Sequence, residues 1–324
     1  MKTIKLFAAM FTALVACAGA PAQAQPFPNQ PVKMIVGFSA GSISDRIARS
    51  LAEQLKDVLG QQVLIENLPG AGSTLAAARA ARAPADGYTI YFAAMGHALA
   101  PAVYSKLPYD TLADFAGVAL VSNVRVLMVT HPKMKAKNLS EFLADAKANP
   151  GKYSYGSSGN GTFLHLIAES LAQATGTKFL HVPYRAGVDA MNGVISESVD
   201  LAFCTVSTCI EHVRTGRLKT YGYIGKERSP SAPEVPTFAE AGLKDFDVAS
   251  YNYILAPSAT PRPILDQLHK AINQVVMMPK FNEQLRRLGV EPTPSDSAAS
   301  VTEFVKAEVD RWTPLVKTIG LKAD

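Results

Sequence analysis

The chain is poor in features that would announce a chemistry. Of its 3 cysteines only Cys204 and Cys209 lie beyond the N-terminal segment. An oxidising compartment would permit them to bridge, but their spacing does not by itself set the geometry. The 6 histidines are scattered, with no H-E-x-x-H and no Cys/His cluster at ligand spacing, so no metal is expected. Both the G-x-x-x-x-G-K-[ST] lysine and the Rossmann G-x-G-x-x-G are missing, so no nucleotide or other cofactor is expected. Basic residues are dispersed rather than gathered into a stripe with aromatics, which argues against nucleic acid. Past the N-terminal segment no apolar run approaches the ~20 residues a membrane span needs.

That first segment has a pattern of its own. Lys2 and Lys5 precede an apolar run from Leu6 to Cys17, and small residues lead to Ala22-Gln23-Ala24. This predicts an export signal over 1–24, cleaved after Ala24, and a soluble protein outside the cytoplasm. Leu14-Val15-Ala16-Cys17 offers a second processing site that would leave a lipid on Cys17. Losing the two lysines lowers the formal charge from +5 to +3. The mature length, about 300 residues, exceeds one comfortable hydrophobic core, so two lobes are expected.

What is present is a pair of similar units. Met34-Ile35-Val36 runs into Gly37-Phe38-Ser39-Ala40-Gly41-Ser42, followed by an amphipathic helix over 44–59. Much further on, Tyr153-Ser154-Tyr155 runs into Gly156-Ser157-Ser158-Gly159-Asn160-Gly161-Thr162, followed by a helix over 163–175. Such a loop lets backbone N–H groups converge on an anion at a helix N-terminus, where the dipole adds roughly half a positive charge. Two of them, one per lobe, suit a ligand with a carboxylate at each end.

Strand-like and helix-like runs alternate along the rest, predicting an α/β fold with mostly parallel sheets flanked by helices. Strands are predicted at 32–36, 62–66, 89–93, 124–130, 153–156, 178–182, 201–204, 218–224 and 248–256. Further helices are predicted at 140–148, 186–196, 263–276 and 297–318. A Pro- and Ser-rich stretch over 227–242 reads as an extended surface connection. The helical tail has no loop of the anion-binding kind and is assigned to the first lobe. The division is then 25–123 plus 249–324 for one lobe and 124–248 for the other, with two hinge crossings.

Gly37 to Gly41 also fits the G-x-S-x-G elbow, which would make Ser39 a nucleophile served by Asp200 and by His212 or His269. The elbow follows the first strand, before the several strands a hydrolase lays down, so Ser39 is taken as a turn residue and the chain as no enzyme. His165, on the first turn after the second loop, could donate to a ligand. His97 follows a strand and Gly96 and could face a cleft, and Arg185, after Pro183-Tyr184, could supply a positive charge.

At these loops the chain resembles the solute receptors of the tripartite tricarboxylate transporters, also called the Bordetella uptake gene family. The shared residues are Phe38-Ser39-Ala40-Gly41 with Asp45, Glu66-Asn67 with Pro69 to Gly72, Asp86 to Thr89, and Leu107 to Asp110. They continue with Ala148 to Lys152, Gly159-Asn160-Gly161 with His165-Leu166, His181 to Tyr184, Val199 to Leu201, Pro233 to Thr237, and Glu240 to Gly242. The resemblance implies a monomeric, two-lobed periplasmic binding protein of type II-like form that closes on a small carboxylate. It places the carboxylates on Phe38 to Ser44 and on Ser157 to Thr162. It also implies delivery to membrane permease subunits or to a sensor kinase, and the sequence fits both.

The departures from the family pattern bear on the ligand. Cys204 stands where the family usually has an Asp that helps recognise an amino group, which disfavours an amino acid. Ile43, Phe163 and Leu164 stand where polar residues are common, which favours polar ends and an apolar middle. Phe163, Tyr251 or Tyr253 could stack on a ring. The ligand expected is a dicarboxylate with a hydrophobic body, terephthalate-like, with an aliphatic one such as adipate as the alternative.

Overall fold

The computed structural model describes residues 27–322, so the expected export signal and Cys17 lie outside the described residues. The chain forms two sheets. The first contains β1 (Val32–Val36), β2 (Val63–Asn67), β3 (Thr89–Ala94), β4 (Phe115–Val124), β10 (Ser250–Pro257) and β11 (Glu291–Pro292), in the order β11-β4-β10-β3-β1-β2. The second contains β5 (Val126–Thr130), β6 (Ser154–Ser157), β7 (Leu180–Pro183), β8 (Leu201–Thr205) and β9 (Lys219–Tyr223), in the order β7-β6-β8-β5-β9. The helices are α1 (Ile43–Leu59), α2 (Thr74–Ala81), α3 (Met95–Val103), α4 (Leu139–Ala148), α5 (Phe163–Thr175), α6 (Gly187–Ile195), α7 (Val206–Arg214), α8 (Arg262–Val276), α9 (Pro279–Arg287) and α10 (Ala298–Thr318).

The mostly parallel sheets expected from the sequence are corrected to mixed ones. β1 pairs parallel with β2 and β3, and β6 with β7 and β8. β10 runs antiparallel to β3 and β4, and β5 antiparallel to β8 and β9. The reason lies at Arg125. The stretch 124–130, expected as one strand, breaks there: β4, not foreseen as a strand, ends at Val124 in the first sheet and β5 starts at Val126 in the second. A chain that leaves one sheet for the other closes no βαβ crossover, so these strands add antiparallel. It returns to the first sheet at β10.

Each sheet is covered on both faces. Ile47, Leu51 and Leu55 of α1, one helical face by their spacing, pack with Leu268, Ile272 and Val275 of α8 against Met34 and Phe92. On the other face Ala76, Ala77 and Ala80 of α2 and Val301 and Val305 of α10 cover Ile35 and Tyr91. Burying each large aliphatic side chain contributes roughly 1.5–3 kcal/mol. The second sheet is covered by Phe142 of α4 with Leu166 and Leu171 of α5, and behind by Ala190 and Val194 of α6 with Ile210 of α7. Trp312, Leu315 and Val316, near the end of α10, join the α4 and α5 cluster. The last turns of that helix therefore share the core of the second sheet, although the sequence placed the whole tail with the first.

Candidate functional site

The first loop is held by backbone proximity and one buried carboxylate. A Cβ at Gly37 would lie 2.5 Å from the Ser73 Cβ, so only glycine fits, and Ser73 Oγ donates to the Gly37 carbonyl at 3.0 Å. Ser42 caps α1 by accepting the Asp45 N–H at 3.2 Å. Asp45 is buried and accepts from Gly41 N–H and Asn67 Nδ2, each at 2.8 Å, and from Arg49 Nε at 3.0 Å. Asn67 also donates to the Phe38 carbonyl at 3.0 Å. Burial pushes the Asp45 carboxyl up, but Arg49, Gly41 and Asn67 together outweigh it and hold the carboxyl below its ordinary value. By helix geometry the N–H groups of Ile43 and Ser44, in the first turn, have no intrahelical acceptor.

The second loop satisfies more of its own donors. Ser157 Oγ accepts the Gly159 N–H at 3.1 Å and meets His181 Nε2 at 2.6 Å. Thr162 Oγ1 donates to the Gly159 carbonyl at 2.8 Å, and Ser158 Oγ donates to Thr162 Oγ1 at 3.0 Å. The Gly161 N–H goes to His165 Nδ1 at 3.0 Å. In α5, as in α1, the first-turn N–H groups, here Phe163 and Leu164, stay free of intrahelical bonds.

Residues of both loops line one cavity of about 340 Å³. Phe38, Ile43 and Ser44 come from the first loop and α1, and Gly161 and Phe163 from the second loop and α5. Ala94, Met95, Gly96 and Leu99 of β3 and α3, with Val124, Ser250 and Asn252 where the chain passes between the sheets, complete it. None of these side chains is charged, and a helix N-terminus opens onto it from each side. Such a wall can hold an anion only through N–H groups, hydroxyls and amides, while its larger part is suited to an apolar body. Among the described residues no group of three His, Cys, Asp or Glu could hold a metal ion. No helix among them is long and apolar enough to cross a membrane.

Residues 47–321 match the tripartite tricarboxylate transporter family receptor. The chain belongs to this family. It is similar to the periplasmic binding protein BugD at 33% identity, covering 91% of this chain and 100% of that one with a TM-score of 0.67. It is also similar to MatC from Rhodopseudomonas palustris solved with malate, at 30% identity over 90% of this chain and 100% of the other, TM-score 0.67. An R. palustris protein solved with adipate shares 28% identity over 91% of this chain and 98% of the other, TM-score 0.70. The family is that of tripartite tricarboxylate transporter receptors, and the fold is shared with the periplasmic binding protein BugD.

In this family member the residues singled out from sequence fall into three groups. Phe38, Ile43, Ser44, Gly161 and Phe163 line the cavity. Ser39, Ala40, Gly41, Ser42, Ser157, Gly159, Asn160 and Thr162 build the two loops behind that lining; Ser157 is fully buried, whereas Ser39, Ala40 and Asn160 are exposed. His165 is tied to the second loop through Gly161, and the rest sit elsewhere. His97 is a core histidine: Nε2 bonds the Thr111 carbonyl at 3.2 Å, and the ring stacks on Tyr109 and meets Phe115 edge-on. Burial pushes its pKa down to about 4. Arg185 is exposed on the strand-to-helix connection. Cys204 is buried and disulfide-bonded to Cys209, packed with Leu127 and Val206, so its sulfur is turned from the cavity.

Tyr251 is corrected by strand alternation. Ser250 and Asn252 of β10 face the cavity, so Tyr251 and Tyr253 face the other way. Tyr251 packs edge-on against Phe304 of α10, and Tyr253 is fully buried beside His97. The period-two pattern of the strand held the signal for Ser250 and Asn252. Nothing local in the sequence marked Met95, Leu99 or Val124. The residues named beside the Ser39 elbow also have other partners: Asp200 accepts from Ser154 at 2.8 and 2.9 Å, and His269 bonds the Val118 carbonyl at 2.9 Å.

Proposed function

We propose that this receptor captures a small organic dicarboxylate with an apolar body, terephthalate-like, and releases it to a membrane permease. The observation that carries this is the uncharged, largely apolar cavity with a helix N-terminus at each side. One carboxylate meets the free N–H groups and hydroxyl of Ile43 and Ser44 with the Phe38 to Ser42 turn; the other meets the Ser157 to Thr162 loop and the first turn of α5. The body lies on Phe163, Ile43 and Leu99. The segments 25–123 plus 249–324 and 124–248 act as two lobes, and closure is favoured by contacts the ligand makes better in the closed state. Micromolar affinity needs about −8 kcal/mol, within reach of two charge-assisted carboxylate sites plus desolvation of a ring.

An aliphatic dicarboxylate is the second reading, favoured by the neighbour that was solved with adipate. Calorimetry on the mature protein with terephthalate, adipate and benzoate separates the two. We expect terephthalate to bind with micromolar Kd, adipate more weakly, and benzoate at least about a hundredfold more weakly for want of the second charged end. Equal affinity for benzoate and terephthalate would remove the two-ended clamp, and tighter binding of adipate would select the aliphatic ligand.

A further inference from the structure

The second loop is tied to a stack of rings that the proposed function leaves without a role. His165 and His181 stack with centroids 4.2 Å apart and planes within 10°, and Tyr155 stacks on His181 at 4.8 Å. Each imidazole terminates one glycine of the loop. His165 Nδ1 accepts the Gly161 N–H at 3.0 Å, and His181 Nε2 meets the Ser157 Oγ that receives the Gly159 N–H. His165 is the third residue of α5, where Glu or Gln commonly reaches back to an N–H at the helix start. An imidazole nitrogen can take that part only while it carries no proton, so Nε2 holds the hydrogen and the ring is neutral.

We infer that His165, backed by His181, is a positioning residue of the second loop: its neutral imidazole holds the loop in binding shape, and protonation releases Gly161. This deepens the carboxylate reading of that loop and rests on it for its effect on ligand. The titratable groups meeting His165 are His181 from β7, Tyr155 from β6 and Glu169 one turn along α5, with the Tyr155 hydroxyl donating to Glu169 at 2.6 Å. From β8 and α10 the neighbouring cluster receives Leu201, Phe203, Trp312 and Leu315, all without charge. Burial lowers the pKa of His165, with Glu169 acting against it; burial, with His165 adding to it, pushes His181 down to about 4. Both rings are thereby kept neutral at neutral pH and become proton acceptors in acid.

The test compares wild type, His165→Gln and His165→Leu at pH 7.5 and pH 4.5. It uses hydrogen exchange of the Gly161 amide without ligand, and calorimetry with terephthalate and adipate. At pH 7.5 the Gly161 amide should exchange at least tenfold more slowly in wild type and His165→Gln than in His165→Leu. At pH 4.5, after correction for intrinsic exchange, wild type should lose that protection and His165→Gln should keep it. Affinity should fall at least tenfold more in wild type than in His165→Gln, a comparison that cancels protonation of the ligand itself. Equal Gly161 exchange in wild type and His165→Leu would overturn the inference, as would identical pH responses in wild type and His165→Gln. The latter comparison decides alone if His165→Leu does not fold. If neither dicarboxylate binds while Gly161 protection behaves as described, the positioning role stands and the carboxylate reading fails.

Discussion

Asp45 places a full negative charge directly behind a loop proposed to receive an anion, and its hydrogen bonds explain why that is tolerable. The carboxylate is turned inward and neutralised by Arg49, and its remaining capacity is used to aim Gly41 and Asn67. Replacing it by alanine takes the shared acceptor from the Gly41 N–H and the Asn67 amide, two partly buried bonds, at a cost of about 0.5–1.5 kcal/mol each. We therefore expect Asp45→Ala to unfold several degrees lower in a thermal melt and to bind ligand at least tenfold more weakly. Arg49→Ala should be milder, because that side chain is 53% exposed and water replaces the lost donor. Equal effects of the two would show that the charge pair, rather than the backbone it aims, sets the loop.

At the scale of elements, α1 and α5 share one arrangement: a Gly/Ser turn, a hydroxyl residue at the cap and an apolar residue first in the helix. Those first residues, Ile43 and Phe163, both line the cavity, and Ile43 is 53% exposed. Changing Ile43 to serine removes apolar surface without disturbing a core, whereas Phe163 also packs against the core of the second sheet. We expect Ile43→Ser and Phe163→Ser each to weaken terephthalate by roughly tenfold, about 1.4 kcal/mol, with the melting temperature nearly unchanged in Ile43→Ser and lowered in Phe163→Ser. Calorimetry beside a thermal melt checks this, and unchanged affinity in both would mean the ring lies elsewhere. Gly161 makes a poorer probe of the same loop. Its φ of +73° disfavours any side chain, and a Cβ there would lie 3.1 Å from Leu321, just beyond α10. A bulky residue at 161 would disturb the packing of the chain's end as well as the site.

At the scale of the molecule, polar groups join the two sheets beside the packing of Trp312, Leu315 and Val316. Arg125, between β4 and β5, pairs with Asp247 and donates to the Ile224 carbonyl, and Tyr223 of β9 donates to Glu291 of β11 at 2.7 Å. Arg125, Tyr223 and Glu291 line a separate cavity of about 360 Å³ to which neither loop contributes. Stability as a whole should depend on pH through buried His97 and half-buried His181. His97 and His181 are each pushed down to about 4, so between the unfolded value near 6.5 and that point the unfolded chain binds protons that the folded chain refuses. Stability is therefore full above about pH 6.5, falls as the pH is lowered to about 4, and below that loses nothing more from these groups. For fully buried His97 the loss is on the order of 3 kcal/mol. We expect the melting temperature to drop across this window and to drop less in His97→Phe. Parallel curves for the two proteins would remove His97 from the account.

The sequence by itself determined the two strand-loop-helix units, because strand periodicity, glycine placement and helix capping act over a few residues. It likewise determined the α/β class and the family, and five of the cavity's residues were named from it. Tertiary structure decided the rest, because it depends on which way a side chain turns once distant strands pair. His97, Cys204 and Tyr251 have the right neighbours in sequence, but burial beside Tyr109, a disulfide to Cys209 and the alternate face of β10 take them from the cavity. Met95, Leu99, Ser250 and Asn252 enter it because β3 and β10 lie side by side in one sheet although more than 150 residues separate Ala94 from its partner Asn252. The mixed sheets were decided there too, since whether the chain doubles back or crosses at Arg125 is fixed by long-range packing on both sides of the break.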